Sequence, residues 1–370
     1  MKILMVISDT NIGGAGKWIL EYFRYHNKDR FQVKAIIPTG SKLKPLYEDA
    51  GLPVIECDGI ADVSYQKEGV KNLYRIFKKE RPDIVHAHGT MSARVAAAKW
   101  GSHVKKIVYT RHSVFEPTGF FTKPIGKLVN RIITAFTCDR SIAVCEAAKK
   151  NQTDTGIPPK KISVVYNGVE AIPAPTPEQR ALAKKSFSLS ENDLVFSISA
   201  RLNPVKGHKY LIEAVSKLPE RTNIKFLIAG TGPEEEALKN MVKEQNLQDT
   251  IIFTGFLSDV STLLYATDVL LNCSYGTEAC SLAILEAFSI GIPCIATDYG
   301  GNPELVKTGK NGIVFPTNDS DALANAIQKL QETPTLISQY GKGAKETYLG
   351  GFTVEMMAKN TEKVYEDLIK

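Results

Sequence analysis

The sequence predicts an α/β protein built as two doubly wound parallel-sheet domains facing a central cleft, and three features carry that expectation. Short Val/Ile-rich runs alternate with helix-patterned stretches along the whole chain. A proline-dense segment, Ile172-Pro173-Ala174-Pro175-Thr176-Pro177, interrupts the alternation near the middle. Beyond it the same alternation restarts. At roughly 150 residues per domain, a chain of 370 residues suggests about two domains.

The elements follow in order. Strand runs in the first half are expected at 2–7, 33–37, 84–87, 106–109, 141–144 and 162–165, with helices at 17–25, 70–80 and 126–136. Apolar strands separated by helices imply βαβ units and a parallel sheet buried on both faces. Prolines at 173, 175 and 177 cannot extend a helix or a central strand, so the segment reads as a linker. Strand runs recur at 194–199, 225–229, 251–253, 269–272, 293–296 and 312–314, and a last helix spans 353–369. Ligands of such sheets bind beyond the carboxyl ends of the strands.

Composition excludes several classes. With 43 % hydrophobic and 23 % charged residues, the chain is neither disordered nor fibrous. No apolar run reaches the ~18 residues of a membrane span. The N-terminal Met1-Lys2-Ile3-Leu4-Met5-Val6-Ile7 is too short for a signal peptide and reads as a first buried strand, so a cytoplasmic protein is expected. Six cysteines, at 57, 138, 145, 273, 280 and 294, lack CxxC spacing and read as reduced, buried thiols rather than staples or zinc ligands. Charge is uneven. Residues 1–170 carry 27 Lys+Arg against 16 Asp+Glu, or +11; the rest of the chain carries −5, for a total of +6. The first half therefore suits an anionic surface, and with no helix-turn-helix, RNP or zinc-finger pattern, lipid headgroups fit better than nucleic acid.

Four motifs sit at strand ends. Asn11-Ile12-Gly13-Gly14-Ala15-Gly16-Lys17 follows the first strand and opens a helix, where glycines and free N–H groups favour a phosphate. It is neither a dinucleotide fingerprint, since Ile19 takes the third glycine position, nor a P-loop, since Trp18 stands where Ser or Thr would hold magnesium. A plain tight turn explains it equally well. Arg201 and Lys206 flank a Pro-containing turn after strand 194–199; two cations with no nearby carboxylate suit a diphosphate. Glu278 and Glu286 stand eight apart around Ala279-Cys280-Ser281-Leu282, with a helix expected from about Ser281. Each carboxylate can accept sugar or ribose hydroxyls, although acidic groups near a helix start also merely complement its dipole. Gly300-Gly301-Asn302-Pro303-Glu304 is a turn with Pro at a helix start.

Taken in order, Arg201-x4-Lys206-Gly207, Gly230-Thr231-Gly232-Pro233, Glu278-x7-Glu286-Ala287, Gly291-Ile292-Pro293 and Gly300-Gly301-Asn302-Pro303-Glu304 resemble glycosyltransferase family 4, the retaining nucleotide-sugar transferases of GT-B fold, with two Rossmann-like domains. Gly13-Gly14-Ala15-Gly16, Val85-His86-Ala87-His88, Thr110-Arg111-His112 and Tyr166-Asn167-Gly168-Val169 extend the resemblance over nearly the whole chain. The resemblance implies an N-terminal acceptor-binding domain, 1–170 plus 353–370, and a C-terminal nucleotide-sugar domain, 171–352. It implies that Glu286 binds the donor ribose and that Glu278 lies beside the transferred sugar. Arg201 and Lys206 would hold the diphosphate, Gly14 and Gly16 would face it, and Cys280, Ser281 and Leu282 would line it. His112 would contact the sugar. The family's usual proposal is front-face attack, the donor phosphate accepting the acceptor's proton.

The chain departs from the family pattern in places. Gly-Phe-Gly is commonly found after the first glutamate, where this chain has Ala279-Cys280-Ser281; one extra residue precedes Glu278; and Cys145 stands where Ser is common. His86 and His88 are expected to pack rather than bind metal. Asp319-Ser320-Asp321 matches the metal-binding string of GT-A enzymes but reads as an N-cap before a helix at 322–330. No metal or cofactor is expected. In the stretch Phe115-Glu116-Pro117-Thr118-Gly119-Phe120-Phe121-Thr122-Lys123-Pro124, exposed Phe120 and Phe121 with Lys123 and Lys127 suit an anionic membrane or a lipid-linked acceptor, as in homologous transferases. Ile125, Leu128, Val129, Ile132 and Phe136 are expected to form the core face of the following helix. The expected reaction is sugar transfer from a UDP-sugar, GDP next, to a lipid-linked saccharide of bacterial surface polysaccharide or glycoconjugate synthesis, by an enzyme peripheral on the inner membrane face. An epimerase or phosphorylase of the same fold, a small soluble acceptor, a nicotinamide dehydrogenase and a non-catalytic lectin are the competing readings. The broken glycine fingerprint disfavours the dehydrogenase, and the paired glutamates and cations disfavour the lectin.

Overall fold

Seven strands alternate with helices in the first half of the chain: β1 (Lys2–Val6), β2 (Gln32–Pro38), β3 (Val54–Cys57), β4 (Ile84–His88), β5 (Lys106–Arg111), β6 (Arg140–Ala143) and β7 (Ile162–Val164). They form one parallel sheet in the order β3-β2-β1-β4-β5-β6-β7. The computed structural model describes residues 1–61, 66–89, 91–115 and 119–370. Ile3, Leu4, Met5 and Val6 are all buried, as a central strand covered on both faces requires. β3 has no counterpart in the sequence reading. It is a four-residue edge strand, half exposed and broken by Glu56, so it lacks the continuous apolar run of its neighbours.

Six further strands make a second parallel sheet: β8 (Leu194–Ser199), β9 (Ile224–Ala229), β10 (Ile251–Gly255), β11 (Val269–Asn272), β12 (Cys294–Thr297) and β13 (Gly312–Phe315). Their order is β10-β9-β8-β11-β12-β13, the same permutation with one strand fewer. In each sheet the order reverses beside its first strand, between β1 and β4 and between β8 and β11. Loops leaving those two strands diverge there and open a crevice for ligands.

The chain divides into two units, Met1–Gly168 with Val354–Lys370, and Val169–Thr353. Within the second unit, Val169 N–H donates to Phe352 O at 3.3 Å and Tyr348 Oη to Val169 O at 2.9 Å, so its two ends lie side by side. The proline segment runs up to Pro177, which opens the helix Pro177–Ser186 behind a Thr176/Gln179 capping box. The last helix, Val354–Ile369, returns to the first unit. It buries Val354, Met357, Ala358, Thr361, Val364 and Tyr365, one stripe at three- and four-residue spacing.

One expectation is overturned. Ile125, Leu128, Ile132 and Phe136 are exposed, and Val129 is only partly buried, so they are not the core face of the helix Pro124–Thr137. Its buried residues are Gly126 and Thr134. Helical periodicity groups residues on one face but does not say whether that face points inward. All six cysteines are unpaired and buried, and burial pushes the Cys57, Cys138 and Cys273 thiols up to about 12. Asp319 accepts from Ala322 N–H at 2.8 Å and caps the helix Ser320–Glu332, while Asp321 pairs with Lys217 at 2.7 Å.

Candidate functional site

The crevice of the second unit holds an ion pair joining two motifs. Lys206 Nζ lies 2.8 Å from Glu278 Oε2. The expectation that no carboxylate pairs the cations is thus corrected for Lys206: its partner lies 72 residues away in sequence, brought in by the β11 loop. Arg201 is exposed and makes no ion pair among the described residues. Ser274 Oγ also donates to Glu278 Oε2, at 2.9 Å. Asn272 Nδ2 lies 3.5 Å from the same Oε2, so all three donors converge on one oxygen, and Oε1, which takes no hydrogen bond from the described residues, is the one a ligand hydroxyl can reach.

A buried network fixes that carboxylate. Asn272, the last residue of β11, donates through Nδ2 to Ser281 Oγ at 3.2 Å and accepts from Ser274 N–H at 3.1 Å. Asn302 Nδ2 lies 3.1 Å from Thr297 Oγ1 and 3.4 Å from Asn272 Oδ1. Asn302 comes from the Gly300-Gly301-Asn302-Pro303-Glu304 turn, which says little in sequence and here braces the glutamate loop. Thr277, just before Glu278, has a φ of 56°. A β-branched residue in that region is strained, and such strain persists only where surrounding contacts over-determine the backbone.

Motif glycines fit these loops together. At Gly207 (φ 70°) a Cβ would overlap the Cys273 carbonyl, and at Gly300 (φ 60°) that of Glu278. The loops after β8 and β11 touch at the first point, and those after β11 and β12 at the second. Tyr275 N–H donates to Val205 O at 2.9 Å across the first junction. Ser281 is the N-cap residue of the helix Leu282–Ser289 without a side-chain capping bond, its Oγ instead accepting from Asn272; Cys280 and Ser281 are buried, and Leu282 and Glu286 are partly buried. His208, beside Lys206, is buried, and burial pushes its imidazole down to about 4.

The matching crevice of the first unit is built of rings. Gly13 caps the helix Gly14–Tyr25; Gly14 is exposed and Gly16 is buried. A Cβ on Gly16 would meet only the flexible end of the Leu43 side chain, in contrast to the backbone clashes at Gly207 and Gly300. Trp18, from the same helix, lies 5.1 Å from the His88 ring and 6.0 Å from that of His112. His88 Nδ1 sits 2.9 Å from His112 Nε2, which leaves His112 Nδ1 as the nitrogen open to a ligand. His86 bonds to Thr110 Oγ1 at 2.6 Å and to Tyr365 Oη of the returning helix at 2.5 Å. Burial holds all three imidazoles below their usual range, His112 at about 4, so they are neutral near neutral pH. Among the described residues no group of three His, Cys, Asp or Glu is arranged to hold a metal.

Phe120 and Phe121 are exposed in the turn Gly119–Thr122, Lys123 is exposed, and Lys127 is partly buried. Glu116, Pro117 and Thr118 of that stretch lie outside the described residues.

Residues 12–171 match the family model described as Glycosyltransferase Family 4, and residues 179–347 match Glycosyl transferases group 1. The chain belongs to glycosyltransferase family 4. UDP-Gal:alpha-D-GlcNAc-diphosphoundecaprenol alpha-1,3-galactosyltransferase of Escherichia coli is 28 % identical over 97 % of this chain and 95 % of its own length. N-acetyl-alpha-D-glucosaminyl L-malate synthase of Bacillus anthracis is 27 % identical over 80 % of this chain and 78 % of its own. The crystal structure of Anabaena HepE with UDP-glucose has a TM-score of 0.87 at 22 % identity, covering 99 % of this chain and all of that one. That likeness is one of fold: two Rossmann-like α/β domains, the GT-B architecture.

For this glycosyltransferase, sequence reasoning missed the residues that support the site rather than those expected to touch a ligand. Asn272 and Ser274 fall in that group, as does the contact role of Trp18; His88 was expected to pack, and Asn302 stood only as part of its turn motif. The signal at Asn272 and Ser274 was faint: polar residues closing an apolar strand run, where a core strand has no use for them unless they are hydrogen-bonded.

Proposed function

We propose that this enzyme transfers a sugar from a nucleotide-sugar, UDP-linked first and GDP-linked next, to a lipid-linked saccharide acceptor, with retention of anomeric configuration and without a metal. The observation that carries the reading is the Lys206–Glu278 pair at the β8/β11 reversal, with Arg201, which has no ion pair among the described residues, on the same loop. The E. coli relative, which uses UDP-Gal and a diphosphoundecaprenol-linked sugar, supports this donor and acceptor chemistry.

In this reading Lys206 and Arg201 lie against the donor diphosphate, and the N–H groups at the start of Leu282–Ser289 add to them. The C1–O bond to the phosphate breaks and the nucleoside diphosphate departs with the electron pair. The acceptor oxygen bonds to C1 from the same face, and its proton passes to the departing phosphate oxygen. Negative charge grows on that oxygen in the transition state, where preorganised cations stabilise most. Glu278 holds Lys206 in place through Oε2 and offers Oε1 to a sugar hydroxyl. Glu286 takes the ribose hydroxyls. His112, neutral and fixed by His88, offers Nδ1 to the sugar. The first unit takes the acceptor, and the enzyme works peripherally at the cytoplasmic membrane face. A soluble acceptor is the second reading, favoured by the L-malate relative.

The test has two stages. Thermal-shift measurements with UDP-, GDP- and ADP-sugars are expected to single out UDP-sugars. Release of UDP is then followed with a polyprenyl-diphosphate sugar or a small organic acid as acceptor, before and after chelation. Lys206→Ala is expected to lower kcat about 10²- to 10³-fold, as loss of one oxyanion-stabilising group does. Full turnover by Glu278→Ala would sink the site assignment. Activity lost to a chelator and restored by a divalent cation would sink metal independence.

A further inference from the structure

Arg111, the last residue of β5, is partly buried, and desolvation pushes its guanidinium down from the ordinary value. Among the described residues it makes no hydrogen bond and no ion pair; its partner is the Phe115 ring, whose centroid lies 5.6 Å from Cζ. Contact with a ring uses the charge but none of the five N–H donors. The other arginines withdrawn from solvent are all satisfied by protein acceptors. Arg94 Nη1 donates to Ile60 O at 2.7 Å, Arg140 Nη1 to Lys160 O at 2.8 Å, and Arg180 Nη2 pairs with Asp268 at 2.6 Å. Holding a cation half out of water costs stability unless a hydrogen-bonded partner offsets it. A guanidinium kept in that state is suited to an anion that arrives from outside, and its planar fork matches a phosphate or a carboxylate.

A second donor stands beside it. Side chains two apart on a strand share a face, so Tyr109 lies on the same side of the sheet as Arg111. It packs there against the cluster of Val95, Val104 and Ile107. The Tyr109 hydroxyl makes no hydrogen bond among the described residues and is near enough to Arg111 to feel its charge. Burial raises its pKa, so it stays protonated and can donate.

The position suits a ligand. β5 ends at the carboxyl edge of the first sheet, the edge at which such sheets bind their ligands. Thr110, between the two donors, faces the other way and bonds His86 Nε2 at 2.6 Å, so Tyr109 and Arg111 lie on the opposite face of the sheet from the ring cluster. We propose that Arg111, assisted by the Tyr109 hydroxyl, binds an oxyanion carried by the acceptor. The inference rests on the reading that the first unit takes the acceptor, and it adds what that acceptor must bring. A polyprenyl-diphosphate sugar brings phosphate and a small organic acid brings carboxylate.

The experiment is isothermal titration of the full chain, with UDP present to occupy Arg201 and Lys206. The probes are geranyl diphosphate, L-malate and, as the neutral control, geraniol. One of the two anions is expected to bind at least tenfold more tightly than geraniol, and which one it is assigns the source as phosphate or carboxylate. Arg111→Met is expected to weaken that anion about tenfold to a hundredfold and to leave geraniol unchanged, as loss of a charge-assisted hydrogen bond does. Arg111→Lys should restore part of the affinity, keeping the charge without the fork. Tyr109→Phe should weaken the anion less, about threefold. The melting temperature of Arg111→Met should hold or rise, because the variant removes a cation that no protein acceptor offsets. Binding of neither anion, equal binding by Arg111→Met, or equal weakening of anion and geraniol with a lowered melting temperature overturns the proposal. Failure to release UDP from UDP-sugars would count instead against the proposed reaction, because the titration reads anion binding without any sugar transfer.

Discussion

The two units place the same scaffold around different chemistry. Both sheets reverse beside β1 or β8; the first unit collects polar groups from β4 and the end of β5, the second from the loops after β8 and β11. In the first unit those groups are neutral: three imidazoles around Trp18, braced by Thr110 and Tyr365. In the second they are an ion pair in a web of Asn, Ser and Thr. An imidazole can shed its proton when buried, so rings alone can fill such a crevice. A half-buried lysine and a buried glutamate each need a partner, and Asn272, Ser274 and Asn302 hold the pair together. The backbone decides where groups meet, and the side chains decide what that meeting can do.

The contrast is open to attack, most severely through the loop glycines. Gly207→Ala sets a Cβ against the Cys273 carbonyl at a positive φ, and neither loop can yield without moving Lys206 or Glu278. A cost of about 3 kcal/mol or more is expected, seen as lost hydrogen-exchange protection in the second unit alone. Gly16→Ala in the first unit meets only the flexible end of Leu43 and should cost well under half as much. Equal costs would show that the glycines do not distinguish the two crevices.

Acid should separate the units next. His86, His88 and His112 of the first unit all have lowered folded values, against His208 alone among the shifted imidazoles of the second. Above about pH 6.5 the imidazoles are neutral whether folded or unfolded, and their burial costs nothing extra. As pH falls toward about 4, the unfolded chain takes up protons first and stability falls. His112 alone should account for about 2 kcal/mol by about pH 5. Peptide-resolved hydrogen exchange, corrected for intrinsic rates, should show β4, β5 and the helix Val354–Ile369 losing protection before β8 and β11. Simultaneous loss would contradict the contrast.

The smallest effect concerns stored strain. Thr277→Asn keeps a polar side chain but tolerates the left-handed backbone better, and it should stabilise the second unit by less than about 1 kcal/mol in urea unfolding. A destabilised variant would mean that the Thr277 side chain contributes something the φ value does not reveal.

Much was legible because parallel strands announce themselves. Runs such as 2–7 and 194–199 must be apolar on both faces, so composition alone places them, whereas half-exposed β3 gives no such signal. The motif residues were legible as types: cations and carboxylates at strand ends have few uses besides ligands. Their partnerships were not, because Lys206 and Glu278 meet only through strand order, and Asn302 reaches Asn272 from a third loop.

The sequence by itself determined the two sheets, the linker prolines, the buried thiols and the family to which the chain belongs. Those features follow from local patterns and from the order of short motifs. Tertiary structure alone decided that Lys206 is paired while Arg201 has no ion-pair partner among the described residues, that His112 has one nitrogen left to offer, and that the helix Pro124–Thr137 turns its apolar stripe outward. The physical reason is common to all three. Periodicity and residue type say which groups share a face or a strand end, but only the packing of distant segments decides what that face or end meets.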